Sequence, residues 1–207
     1  ALVVRGEKTF ATLASVADEI LVVACRGEGL DGKSLLSIVR VRRDAPGVTI
    51  EDRPPTPFAP EIPHSRVTLT DVAVSSEDVL PGDGYTNYLK PFRTIEDSHV
   101  LAATLGYVIA AARAYAFAPQ LAEGALGLAV ALQALTACSP SDPIRHLGLA
   151  GLFACTSRLI AEHAGEWAKA PAEIGERWKR DQPLLLVASQ AREQRTAAAW
   201  KALASSG

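Results

Sequence analysis

The sequence predicts an α+β protein in two parts: a small antiparallel β-barrel or sandwich over residues 1–84, then an up-down four-helix bundle over residues 85–207. Three observations carry this. Up to about Leu80, short β-branched and apolar runs are punctuated by Gly6, Gly27, Gly29, Gly32 and Pro46-Gly47, as strands joined by tight turns are. After Pro81 the apolar residues change from alternate positions to helical spacing. Overall, 48% hydrophobic and 21% charged residues over 207 positions give enough apolar mass for a sizeable core.

Strands are expected at Leu2 to Val4, Thr9 to Thr12, Ile20 to Cys25 and Leu35 to Val41. Val48 to Glu51 and Arg66 to Val72 alternate apolar and polar residues, the pattern of strands covered on one face. The proline-rich run from Arg53 to Pro63 cannot donate a regular ladder of hydrogen bonds and reads as an extended connector. The glycine-rich GEGLDGK (Gly27 to Lys33) lacks the phosphate-binding pattern and reads as a hairpin.

Helices are expected at about Tyr88–Ala118, Gln120–Thr136, Asp142–Ala170 and Pro183–Ala204, with a short turn near Pro171–Arg180. In the first, Val100, Ala103, Leu105, Val108, Ala111, Ala112 and Tyr115 form a broad apolar stripe behind Pro91. Ser141 or Asp142 ahead of Pro143 is an N-cap signal. The alanine-rich faces favour close packing that continues across a subunit interface, so a homo-oligomer is expected.

A formal net charge of −2 gives no electrostatic reason to expect nucleic acid or a membrane surface as partner. The helices are interrupted by charge or proline before they could span a bilayer. Cys25, Cys138 and Cys155 are odd in number and lack C-x-x-C spacing. They read as buried free thiols in a cytoplasmic protein, with no disulfide framework and no metal site.

Several segments, in order, resemble the acyl-CoA dehydrogenase family. RGEKTFAT (Arg5 to Thr12) resembles its G-x-K-x-[WF]-I-T segment, and Leu69-Thr70-Asp71-Val72-Ala73-Val74-Ser75 its F-x-D-V-x-V-P strand. IEDSHVLAATLG resembles its first long C-terminal helix, and RWKRD (Arg177 to Asp181) its E-R-x-x-R-D segment. The resemblance implies a middle β-domain and a helical C-terminal domain, with the N-terminal helical domain lacking. It implies FAD-dependent oxidation of the CH–CH bond of an acyl-CoA thioester, a step of fatty acid metabolism. The chain would be incomplete, or would need a second related chain. The alternative is a degenerate, non-catalytic relative serving as an acyl-thioester-binding or structural subunit.

In one subgroup of that family the catalytic base is a carboxylate near the start of the first long C-terminal helix. Glu96 stands ten residues before Gly106 of the Leu105-Gly106 pair, the spacing of that subgroup, and is the candidate base. Desolvation is expected to raise the pKa of such a base. Where the subgroup carries an arginine after the base, this chain has Asp97. Phe10 and Thr12 are the candidate cofactor-binding residues, because the resemblance places that segment against the flavin. The positions of the family's R-x-x-F-G motif carry Ala122 and Ala125. Its glycine-rich loop has no counterpart between Trp167 and Arg177. A pyrophosphate needs cationic or backbone N–H partners, so this chain alone is not expected to hold FAD. His64, His99, His146 and His163 show no ligand spacing; Glu96 and His99 are three residues apart on one helix and could pair.

Overall fold

The computed structural model describes residues 2–205, which form two compact units divided after Lys90. In the first unit, β1 (Leu2–Thr12), β5 (His64–Val74) and β4 (Val48–Asp52) form an antiparallel sheet in the order β1-β5-β4. β2 (Glu19–Glu28) and β3 (Ser34–Arg42) pair as an antiparallel hairpin. GEGLDGK turns that hairpin, closed by Gly29 N donating to Lys33 O at 2.8 Å.

The expected barrel does not close, because the two sheets share no backbone ladder among the described residues. They are joined through side chains instead. Val22, Val39 and Val41 of the hairpin pack with Val67, Leu69 and Val72 of β5 in one apolar cluster.

The strand β5 shows how alternation and turn chemistry combine. Ser65, Val67 and Leu69 are buried on one phase of the alternation, then Val72 and Val74 on the other. The phase slips at Asp71, a non-glycine residue at φ 52°. There the register with β1 jumps from Gly6↔Leu69 to Val4↔Val72, a β-bulge that returns the following residues to the core face. Arg5, on the opposite strand, donates to the Asp71 carboxylate.

In the second unit, α1 (Lys90–Ala114), α2 (Pro119–Leu135), α3 (Pro143–Glu162) and α4 (Ala172–Asp181) pack around one core, and α5 (Ser189–Ala204) lies against α3. α1 follows a π-helical turn, Gly84–Leu89, capped by Asp83 accepting from Thr86 N at 2.7 Å. Of the stripe expected from the sequence it buries Leu105, Val108, Ala111 and Ala112, while Ala103 is exposed and Leu101, outside that stripe, is fully buried. It ends short of the expected Ala118, with Ala116 in the left-handed region at φ 50°. Asp142 caps α3 by accepting from Ile144 N at 2.8 Å, with Pro143 in the first turn.

Among the described residues there are five α-helices rather than four. α3 stops at Glu162 and gives way to a 3-10 turn, Ala164–Lys169, instead of running to Ala170. The stretch expected as a turn is α4, in which Trp178 is buried and Ile174, one turn earlier, packs against the core. α4 carries Glu173 in its first turn and Lys179 and Arg180 in its last, charges that suit the helix dipole. α5 starts only at Ser189, after a 3-10 turn (Gln182–Leu186) and a left-handed Ala188. The cysteines are free, but the expectation that they are buried is wrong. Cys25 and Cys155 are exposed and Cys138 is half-buried, because each lies off the packed face of its segment.

Candidate functional site

Two adjacent carboxylates near the start of α1 point to different environments, as residues one step apart on a helix must. The Glu96 side chain is 40% exposed and accepts a hydrogen bond from Arg93 Nη1 at 2.9 Å, three residues earlier. His99 is exposed, and Glu96 pairs with Arg93 instead. Asp97 is 4% exposed. Its Oδ1 accepts from Arg192 Nη1 at 3.0 Å and its Oδ2 from Arg195, both on α5. Burial pushes the Asp97 carboxyl above the usual carboxylate value, against the opposing pull of the two arginines.

Around this pair lies a polar layer between helices. Ser98 Oγ donates to Thr94 O at 2.8 Å, and Thr94 Oγ1 meets His146 Nε2 at 3.2 Å. Arg145 Nη2 donates to Ser98 Oγ at 3.2 Å. Sequence reading missed this layer. Thr94, Ser98, Arg145 and Asp97 look like ordinary polar residues of helix surfaces until α3 and α5 are packed against α1.

In the β unit, Phe10 and Thr12 lie on β1. Phe10 is 57% exposed; its ring stacks on His64 with centroids 4.2 Å apart, and the Arg53 guanidinium lies 5.7 Å from its centroid. Thr12 Oγ1 and His64 Nδ1 are 3.2 Å apart, across the β1–β5 pairing Thr12↔His64. The hydroxyl that the resemblance turns toward a flavin is thus engaged by a histidine that scattered spacing did not single out.

The donor set does not fit a whole FAD. Ala125 is fully buried and, like Ala122, brings no donor to a pyrophosphate. Where a glycine-rich loop would pass, Trp167 is buried. It stacks on Trp178 at 4.4 Å and on Tyr107 at 5.9 Å, and this aromatic stack brings no backbone N–H cradle. No group of three or more His, Cys, Asp or Glu side chains could hold a metal among the described residues. No helix of the described residues is long and apolar enough to cross a membrane.

No protein-family model matches the sequence. Over 110 residues, 53% of this chain, it is 31% identical to a probable acyl-CoA dehydrogenase, YngJ, of Bacillus subtilis; the match spans 29% of that relative. A probable acyl-CoA dehydrogenase structure from Mycobacterium abscessus matches 95% of this chain and 60% of its own, with a TM-score of 0.71 and 16% identity. The butyryl-CoA dehydrogenase of Megasphaera elsdenii matches 96% of this chain and 60% of its own, with a TM-score of 0.65 and 15% identity. The chain therefore resembles acyl-CoA dehydrogenases in sequence over half its length and in fold over nearly all of it.

Proposed function

We propose that this chain is the middle and C-terminal portion of an acyl-CoA dehydrogenase-like flavoprotein, oxidising the CH–CH bond of an acyl-CoA thioester once a second chain or segment completes the site. The observation that carries the reading is the order of the motif residues along a matching fold. Phe10 and Thr12 lie on β1, Asp71 at the β5 bulge, Glu96 and the Leu105-Gly106 pair on α1, and Arg177 to Asp181 on α4.

Glu96 is the proposed base. Its carboxylate takes a proton from the α-carbon of the thioester, and Arg93 holds it in one orientation until substrate arrives. FAD would supply the hydride acceptor. Of the segments that the resemblance places against it, this chain carries the one from Phe10 to Thr12. Asp97 is a positioning residue, fixing the start of α1 to α5 beside the base.

The test is a co-purification from the native cell, followed by acyl-CoA oxidation assays on the assembled protein. Glu96→Gln should reduce the rate by about 10²- to 10⁴-fold, the range of a positioned base, with the helical signal unchanged. An unchanged rate removes Glu96 from the chemistry.

A further inference from the structure

A groove of about 500 Å³ runs between α1 and α2 within the helical unit, in the size range of small-molecule sites. Its walls include Ile95, Ala102 and Ile109 of α1 with Ala129 and Leu132 of α2, while Ser98 and Arg145 add a polar section. A Cβ added at Gly106, which also lines it, would meet nothing within 4 Å, so the wall is open there.

Arg145 is 5% exposed, yet among the described residues no carboxylate lies at ion-pair distance from it. Its partners are neutral: Cys138 O at 2.8 Å, Thr136 O at 3.4 Å and Ser98 Oγ at 3.2 Å. Its Nε has no partner at all. The contrast lies on the same helix α1, where buried Asp97 has two arginines. A buried guanidinium with neutral acceptors alone keeps a positive charge that the fold does not offset. The carbonyls at the end of α2 relieve part of it, and leave room for one negative charge.

We propose that this groove binds an unesterified medium-chain carboxylic acid, its carboxylate at the Arg145–Ser98 section and its alkyl chain along Ile95, Ala102 and Leu132. One guanidinium matches one carboxylate charge, whereas a phosphate dianion would remain under-neutralised. The apolar walls call for a hydrocarbon tail, and a neutral thioester or amide would leave the charge unanswered. The site is separate from Glu96, which is not among the residues lining the groove, and does not rest on the flavoprotein reading.

The test is calorimetric titration of the intact chain with octanoate, and in parallel with octanamide, its neutral counterpart. Octanoate should bind once per chain and about tenfold or more tighter than octanamide, the increment of a charge-assisted hydrogen bond. Gly106→Leu should weaken octanoate by a similar factor, by filling the groove from a helical position that tolerates leucine. Arg145→Gln should erase the difference between the two ligands. Should that variant fail to fold, the octanamide comparison and Gly106→Leu still decide the matter. Equal affinities for the two ligands, or an octanoate affinity unaltered by Gly106→Leu, overturns the proposal. So does the lack of saturable binding.

Discussion

Asp97 on α1 and Arg192 on α5 are ninety-five residues apart in sequence and 3.0 Å apart in space. Arg192 also donates to Leu185 O at 2.6 Å and Val187 O at 2.7 Å, and its guanidinium lies 4.0 Å from the Phe153 ring centroid. One side chain thus ties α1, α3 and the segment leading into α5 to one point. Arg192→Ala should destabilise the protein by about 3–5 kcal/mol, because it leaves Asp97 buried with half its compensation. Urea unfolding measures this, and a loss under about 1 kcal/mol would mean that water readily replaces the arginine.

The same carboxylate sets a pH dependence. Burial raises the folded-state pKa of Asp97 above 3.8, so the folded chain binds this proton more tightly than the unfolded chain does. Its contribution is greatest below 3.8 and declines as pH rises from there to the raised value. The lowered carboxyls Asp83, which accepts a backbone N–H bond, and Glu166, which accepts from Lys169 and then from the Ala118 N–H, act in the opposite sense. Subtracting the stability of Asp97→Asn from that of the parent at each pH isolates the Asp97 part. That difference should fall with rising pH; a difference that climbs contradicts the assignment.

Gly47 sits at φ 89°, and a Cβ there would lie 2.2 Å from Thr70 O. Its own carbonyl accepts from Thr70 N at 2.8 Å, so the backbone has no room to retreat. Gly47→Ala should cost upward of about 2 kcal/mol through strain at both positions. A thermal midpoint equal to the parent's would refute the close approach.

The chain purified alone should carry less than one flavin per polypeptide. Thr12 is engaged by His64, and Ala122 and Ala125 bring no donor to a pyrophosphate. Absorbance in the visible flavin band decides this directly, and a stoichiometric yellow protein would contradict it.

Leu126 and Val130, one turn apart on α2, are 56% and 58% exposed. Such a pair on an alanine-rich helix should be covered by a second subunit, so light scattering at micromolar concentration should give a dimer or larger. Leu126→Glu should shift the mass toward the monomer. A parent protein that is already monomeric ends this expectation.

Much of the architecture was legible because it rests on local signals. Alternation and glycine punctuation located β2 to β5, and Asp142-Pro143 marked the start of α3, but Gly6 was over-read as a break: the runs Leu2 to Val4 and Thr9 to Thr12 are one continuous strand, β1. α4 was not legible as a helix: its flanking Pro171 and Pro183 look like the ends of a turn, and only the burial of Trp178 gives the segment a face to hold. The barrel was over-read, since alternation reports which face of a strand is covered and not whether its edge finds a partner.

The candidate site divides in the same way. By itself the sequence determined the periodicities, the caps, the Gly106 spacing of Glu96 and the small side chains at 122 and 125, because these are properties of neighbours along the chain. Tertiary structure alone decided that Asp97 is buried beneath two arginines, that His64 engages Thr12, and that Arg145 faces only neutral acceptors. The Asp97, Thr12–His64 and Arg145–Ser98 contacts each span about fifty residues or more, and their energy depends on how much water the packing removes. No local pattern encodes that quantity.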